Sequence, residues 1–143
     1  MSAFSPDLNS AVSKIRLLIA EDSQGTRHNL INLLAFEKDI EVVGSVGRAN
    51  QAIELAGQLY PDVVLMDINL PDRDGLSATT QILDISPIIS VVIMSVQDEE
   101  SYKRRALQAG AFAFFIKPLD NARFLGAVQR ALNQPSPEKN SGP

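Results

Sequence analysis

Short apolar runs alternate along this chain with longer segments in which apolar residues recur at helical spacing. Five runs rich in Val, Ile or Phe predict strands at residues 15–20, 40–43, 63–66, 88–94 and 113–116. We expect polar alternation mainly in the second run. The other four read as strands that are covered on both faces.

Each predicted strand is followed by a segment with helical spacing. The first helix is expected at about residues 26–37. Pro61 and Pro87 limit the second and third helices, and Gly110 is a C-cap for the fourth. The apolar positions that mark the five helices are Leu30, Leu33 and Leu34; Ala52, Ile53 and Ala56; Leu76, Thr79, Thr80 and Leu83; Tyr102, Ala106 and Ala109; and Phe124, Leu125, Val128 and Leu132.

Strict strand–helix alternation predicts an α/β fold with a doubly wound, five-stranded parallel sheet, a (βα)5 arrangement. The commonest order for five such strands is 2-1-3-4-5. One domain is expected at residues 14–133, because residues 1–13 and 134–143 lack periodicity and read as a flexible segment and a flexible tail or linker.

Composition removes several classes of protein. The 143 residues include no cysteine, which excludes disulfide scaffolds, zinc–cysteine sites and thiol nucleophiles. The net charge of −4 argues against a domain built mainly for nucleic acid. A membrane span or signal peptide is not expected, since no apolar run reaches about 18 residues and the first 13 residues are polar. These features predict a soluble, cytoplasmic domain.

Polar residues follow four of the strands at their carboxyl ends. The first strand leads into Glu21 and Asp22, the third into Asp67, the fourth into Ser95 and the fifth into Lys117. In a doubly wound sheet these ends meet at one rim, where ligands bind beside the point at which the strand order reverses. We therefore expect three carboxylates, a hydroxyl and an ammonium to converge there.

Carboxylates in such a cluster must take up a proton or hold a cation, because two of them about 4 Å apart repel by about 4 kcal/mol at an effective dielectric near 20. Oxygen ligands favour Mg²⁺, with Mn²⁺ or Ca²⁺ behind it. With the Lys117 ammonium and the Ser95 hydroxyl, such an ion would neutralise and position a phosphoryl group. Asp67 is the candidate nucleophile.

Five segments in this order and spacing carry a family resemblance: IRLLIAEDS at 15–23, PDVVLMDINLP at 61–71, DG at 74–75, VIMS at 92–95 and GAFAFFIKP at 110–118. Together they resemble the receiver domains of two-component response regulators, over about residues 14–132. The resemblance implies that Asp67 accepts a phosphoryl group from a histidine kinase or phosphotransfer protein. It also implies that Glu21, Asp22, Asp67 and the backbone carbonyl of Asn69 hold Mg²⁺, and that Lys117 pairs with the phosphoryl group.

The same resemblance implies a switch. The Ser95 hydroxyl would move toward the phosphoryl oxygen, and Phe114 would turn inward behind it. The surface of the fourth helix, fifth strand and fifth helix would then engage an output domain or partner. Lys117-Pro118 resembles the family's cis proline. Phe114 stands where tyrosine is common in the family. It has no hydroxyl for a new hydrogen bond, so burial of its ring must favour the inward position. Val96 is bulkier than the alanine that often follows the switch hydroxyl.

The implied domain is not an enzyme beyond its own phosphorylation and dephosphorylation, and it binds neither nucleic acid nor membrane itself. A phosphorylation-dependent homodimer is compatible with its output surface. It is expected to be a stand-alone receiver or the input part of a longer protein. The segment Met94–Gln97 with the nearby acids also resembles receivers fused ahead of MinD/ParA-like ATPases.

Three alternatives remain open. A haloacid-dehalogenase-like, Mg²⁺-dependent phosphatase also uses a strand-end Asp, but it wants an acid where this chain has Asn69. A phosphorylation-independent interaction module could use the same fold. A flavin-binding domain of the same topology would need a Gly/Ser/Thr-rich phosphate loop after the first strand.

Overall fold

The computed structural model describes residues 14–96 and 99–133. Within them, five short parallel strands form one sheet. The strands are β1 (Ile15–Ala20), β2 (Ile40–Val46), β3 (Val63–Asp67), β4 (Ser90–Ser95) and β5 (Ala113–Ile116). The helices are α1 (Gln24–Leu34), α2 (Ala49–Leu59), α3 (Gly75–Ile85), α4 (Glu100–Gln108) and α5 (Asn121–Asn133). The sheet has the order β2-β1-β3-β4-β5 with parallel neighbours throughout, which confirms the predicted fold class.

Helices cover both faces of the sheet. Successive residues of β1, such as Leu17 and Leu18, point to opposite faces and belong to two separate hydrophobic clusters. One cluster takes in buried residues of α2, α3 and α4, and the other takes in residues of α1 and α5. The continuous burial of β1, β3 and β4 follows from this double cover, as their apolar runs predict.

The two edge strands differ from the sequence prediction. All four residues of β5 are only half-buried, whereas cover on both faces was expected. Most of β2 is also half-buried, without clear polar alternation. Both strands lie at the ends of the sheet order and have a neighbouring strand on one side only, so solvent reaches them from the open side.

The second strand is longer than predicted because of an irregularity in its pairing. Leu17 is opposite Val42 but Leu18 is opposite Gly44, so Val43 is an extra residue on β2. Pairing then continues to Val46. Gly44 and Ser45, which follow Val43, therefore belong to the strand.

The helices begin or end at the residues that their capping groups and flanking Pro or Gly residues favour. The first helix begins two residues earlier than expected, because Ser23 accepts a hydrogen bond from the Thr26 N–H at 3.2 Å. The second helix ends at Leu59, as predicted from Pro61. The fourth ends just before Gly110, whose φ of 103° is the left-handed conformation that glycine favours after a helix.

Residues 1–13, 97–98 and 134–143 lie outside the described residues, and with them both predicted flexible ends and Gln97. Within the described ranges, no helix combines the length and apolar character needed to cross a membrane.

A carboxylate from another loop caps α2. Its own N-cap residue, Arg48, makes no side-chain hydrogen bond to the helix. Asp72, between β3 and α3, accepts from the Ala49 N–H at 2.8 Å and from the Asn50 N–H at 2.9 Å. Loss of solvent alone would raise the pKa of Asp72, but these two N–H groups outweigh it and hold the pKa below its usual range.

Asp72→Ala is therefore expected to lower the free energy of unfolding by about 1 kcal/mol near neutral pH, the usual cost of a lost helix cap. Because folding lowers the pKa from its ordinary value of 3.8, the contribution is complete above pH 3.8 and disappears as pH falls through the folded-state value. Urea unfolding of both proteins over a pH series measures this difference. The control is Asp84→Ala at an exposed position of α3, and a difference that persists unchanged at the lowest pH would contradict the assignment.

Candidate functional site

The carboxyl ends of β1 and β3 bring two buried acids to the same rim of the sheet. Glu21 follows β1 directly, and its N–H continues the pairing with β2 by donating to the Val46 carbonyl at 3.0 Å. Asp67 is the last residue of β3. Only 2% of Glu21 and 4% of Asp67 is exposed. Burial of ionisable groups is costly, so both carboxylates require partners.

Lys117 supplies the shared partner. Its Nζ lies 2.7 Å from Glu21 Oε1 and 3.0 Å from Asp67 Oδ2. The remaining carboxylate oxygens accept backbone hydrogen bonds, Glu21 Oε2 from Ser23 at 2.9 Å and Asp67 Oδ1 from Asn69 at 3.1 Å. Three residues from three strand ends thus form one ion-pair cluster, as the convergence argument predicts.

Ser95 is also brought to this rim. It is the last residue of β4 and is fully buried. The Lys117 N–H donates to the Ser95 carbonyl at 2.8 Å, so the backbones of these two residues are fixed to each other. The Lys117–Pro118 peptide bond is cis, as the family resemblance suggests.

The start of α3 packs directly behind Asp67. The Gly75 N–H donates to the Ile68 carbonyl at 2.8 Å, and Asp74 caps the helix by accepting from the Ser77 N–H at 2.7 Å. A Cβ on residue 75 would collide with the Asp67 carbonyl and lie 2.9 Å from the Ile68 Cα. Glycine is therefore required at position 75 for this close approach, which fixes the backbone that carries Asp67.

Asp67 and Lys117 both have raised pKa values. Burial is the main influence on Asp67 and raises its pKa, with a further contribution from the negative charge of Glu21. The Asn69 N–H and the Lys117 ammonium act in the opposite direction and offset this only in part. Burial alone would lower the pKa of Lys117, but its bonds to Glu21 and Asp67 outweigh it and raise the pKa.

The other expected magnesium ligands lie further out. Asp22 and Asn69 are both exposed. Across residues 14–96 and 99–133, no group of three or more His, Cys, Asp or Glu side chains is arranged to hold a metal ion. In this arrangement the Lys117 ammonium is the charged partner of both buried acids. The magnesium set Glu21, Asp22, Asp67 and Asn69 remains a prediction.

The chemistry of the donors nevertheless fits Mg²⁺. The candidate ligands are all oxygen atoms, and each carboxylate oxygen of Glu21 and Asp67 retains lone pairs beyond the one hydrogen bond or ion pair described for it. A hard cation with several remaining waters needs only one or two carboxylates from the protein.

Phe114, the candidate switch residue, lies on β5. Its ring is half-buried and packs against the core cluster that includes α2, α3 and α4. It also lines a cleft of about 240 Å³ whose wall includes Glu99 and Lys103 near α4 and Arg123 of α5. Phe114 therefore touches both the sheet core and the surface formed by α4, β5 and α5.

Sequence reasoning missed two residues near the site. Asp72 was not recognised as the cap of α2, and Arg27 was not recognised as a partner of the loop after β1. Arg27 donates to the Glu21 carbonyl at 2.6 Å and to the Asp22 carbonyl at 3.1 Å. The role of Asp72 has no local sequence signal, because it depends on how two separate loops meet. Arg27 lies only six and five residues after its partners, but no hydrophobic or capping pattern marks such a contact.

Comparison with known proteins yields consistent matches. Residues 17–129 match the family model of the response regulator receiver domain. Transcriptional regulatory protein DegU of Brevibacillus brevis is 35% identical over 117 residues, which cover 82% of this chain and 50% of DegU. Transcriptional regulatory protein PdtaR of Mycobacterium tuberculosis is 34% identical over 134 residues, 94% of this chain and 64% of PdtaR. The chain thus spans only part of the length of these curated relatives.

Solved structures give the same result for the fold. The signal receiver domain of the response regulator NarL from Mycobacterium tuberculosis superposes with a TM-score of 0.80 at 27% identity, covering 85% of this chain and 99% of that one. The response regulator domain of Thermotoga maritima CheB has a TM-score of 0.79 at 28% identity, covering 85% and 98%.

The charge balance of the cluster predicts opposite effects for two substitutions. Lys117→Ala leaves two buried carboxylates without their cation and is expected to cost about 2 kcal/mol of stability, below the value for fully buried pairs because 21% of the lysine side chain is exposed. Asp67→Asn removes an acid whose pKa is raised by burial. Its charged form destabilises the fold above that pKa, so the substitution should leave stability unchanged or increase it.

Urea unfolding at neutral pH in the presence of a chelator measures both effects without bound cations. A loss of stability in Asp67→Asn as large as that in Lys117→Ala would contradict the account of the cluster.

Proposed function

Since the chain belongs to the response regulator receiver domain family, we propose that it is a phosphoacceptor of two-component signalling in which Asp67 receives the phosphoryl group. The observation that carries the proposal is the Lys117 Nζ 3.0 Å from Asp67 Oδ2, at a rim that also holds Glu21 and Ser95. This places a cation beside the carboxylate where new negative charge would develop.

The transfer itself needs little from the protein beyond position and charge. A carboxylate oxygen of Asp67 attacks the phosphorus of a phosphohistidine, the P–N bond breaks as the P–O bond forms, and the imidazole leaves and takes up a proton. The product is an acyl phosphate on Asp67. Lys117 would then pair with the phosphoryl oxygens.

Mg²⁺ is the proposed cofactor, with Mn²⁺ as a substitute. Glu21, Asp22, Asp67 and the backbone carbonyl of Asn69 would hold it. When bound, the ion would neutralise charge on the transferring phosphoryl group. The Lys117 ammonium and the Asn69 N–H contact the two oxygens of Asp67, so this chain's own residues orient that side chain before a phosphodonor arrives.

Phosphorylation would be read out through Ser95 and Phe114. Ser95 is buried at the end of β4, where its hydroxyl can serve as a donor to a phosphoryl oxygen. Phe114 lines the cleft beside α4 and α5. A charge change at Asp67 would favour one arrangement of this pair and thereby alter the surface of α4, β5 and α5.

The phosphodonor is proposed to be a histidine kinase or phosphotransfer protein. The proposed location of the domain is the cytoplasm, because kinases use ATP there. The output is an attached domain or a separate protein that contacts α4, β5 and α5. In this role the domain catalyses only its own phosphorylation and dephosphorylation.

The first test is incubation with acetyl phosphate and Mg²⁺, followed by intact-mass measurement. The protein should gain one phosphoryl group, and Asp67→Asn should gain none because the nucleophile is lost. The matched control is Asp84→Asn, an exposed aspartate on α3, which should be labelled like the parent. Equal labelling of Asp67→Asn and the parent would refute the assignment. Continuous turnover of a generic phosphate ester would instead favour a phosphatase.

The second test concerns the readout. Beryllofluoride with Mg²⁺ should shift the backbone amide resonances of Ser95 and Phe114, because a phosphoryl-like group at Asp67 would favour one arrangement of this pair. The same addition to Asp67→Asn should leave them in place. If these resonances do not move in the parent protein, the switch is wrong and a phosphorylation-independent interaction module gains support.

A further inference from the structure

Arg27 folds back from the first turn of α1 over the loop that carries two of the proposed magnesium ligands. Its Nη1 donates to the Glu21 carbonyl at 2.6 Å and to the Asp22 carbonyl at 3.1 Å. A charged donor on two consecutive carbonyls is a strong and directional restraint on a short loop. The loop is also held by the Ser23 N–H, which donates to Glu21 Oε2 at 2.9 Å, and by the Glu21 N–H, which donates to the Val46 carbonyl at 3.0 Å.

Gly47, in the loop between β2 and α2, leaves the space that the guanidinium occupies. A Cβ at this position would lie 2.8 Å from Arg27 Nη1, closer than side chains pack. The other nearby atoms are the Arg27 Cζ at 3.6 Å and the Asp22 carbonyl oxygen at 3.7 Å, which are ordinary contact distances. The guanidinium is therefore the one close neighbour that a methyl group at position 47 would displace.

We infer that Arg27, seated over Gly47, is a positioning residue that holds the backbone of Glu21 and Asp22 so that their carboxylates are presented to the divalent cation and to the phosphoryl site. This inference rests on the proposed function for its ligand and deepens it. Arg27 acts through the loop and is not itself a ligand. Groups that orient metal ligands in this way typically change metal affinity by about 10–100-fold when removed.

The sign of the effect separates positioning from simple electrostatics. Arg27 is a cation near a cation site, so deleting its charge would strengthen Mg²⁺ binding if charge alone mattered. Loss of the two carbonyl bonds releases the loop and weakens binding. We expect weaker binding, because Arg27 bonds the carbonyls of the two candidate ligands themselves, at 2.6 and 3.1 Å.

The test is a calorimetric titration of the full chain with Mg²⁺. The variants are Arg27→Ala, Arg27→Lys, Gly47→Ala and the double variant that combines Arg27→Ala with Gly47→Ala. Arg27→Ala should bind Mg²⁺ about tenfold more weakly. Arg27→Lys keeps the charge but not the planar fork, so it should restore only part of that loss. Gly47→Ala should weaken binding with Arg27 still present, and it should add no loss in the Arg27→Ala background.

Amide hydrogen exchange without metal gives a readout that does not depend on the proposed function. The Ser23 N–H is bonded to the Glu21 carboxylate, so its protection reports whether that carboxylate is held. It should fall in Arg27→Ala and in Gly47→Ala, while β3 amides such as that of Leu65 stay protected and show that the fold is intact.

Unchanged Ser23 protection, Mg²⁺ binding by Arg27→Ala that equals or exceeds that of the parent, or fully additive losses in the double variant would each overturn the positioning role. If the parent does not bind Mg²⁺, the proposed metal site fails, and the exchange measurement alone decides on Arg27.

Discussion

The rim of this sheet depends on one ammonium group shared by two buried carboxylates. Lys117 contacts Glu21 and Asp67 at 2.7 and 3.0 Å, and each acid also accepts a backbone N–H. Without the lysine, two acids that are almost fully removed from water would face each other uncompensated. The fold therefore has to bring the ends of β1, β3 and β5 to one place, although 50 residues separate Asp67 from Lys117 along the chain.

Contacts and hydrogen bonds in the loops around the cluster also hold the first turns of three helices. Gly75 lets α3 start against the backbone of Asp67, and Asp72 of the same loop caps α2. Arg27 ties α1 to the loop after β1. The helix starts and the candidate site thus lie in the same group of loops. Under the proposed function, a phosphoryl group on Asp67 would act on these loops and so bias a larger surface.

The sequence was sufficient for the architecture because the relevant signals are local. Apolar runs located all five strands, and the rule that ligands bind at the carboxyl ends of parallel strands brought Glu21, Asp67, Ser95 and Lys117 together correctly. The half-burial of β5 and the extension of β2 past Val43 were missed, since they depend on edge position and on pairing register. Asp72 was missed because its partners are backbone groups of another loop. Arg27 was missed because a bond from an arginine to carbonyls five and six residues earlier follows no hydrophobic or capping pattern. The magnesium set was expected from the convergence of strand ends, from the chemistry of oxygen ligands and from the family resemblance, and it stays a prediction. Among the described residues Lys117 pairs with both buried acids.

The central claim is that Asp67 forms the acyl phosphate, and chemical trapping tests it most directly. The protein is treated with acetyl phosphate and Mg²⁺ and then with borohydride, which reduces an acyl phosphate to homoserine, and peptide sequencing by mass spectrometry locates the modified residue. The account predicts homoserine at position 67, dependent on phosphodonor and on Mg²⁺. Homoserine at Asp22 or another aspartate, 5-hydroxynorvaline at Glu21, or no reduced residue at all would contradict it.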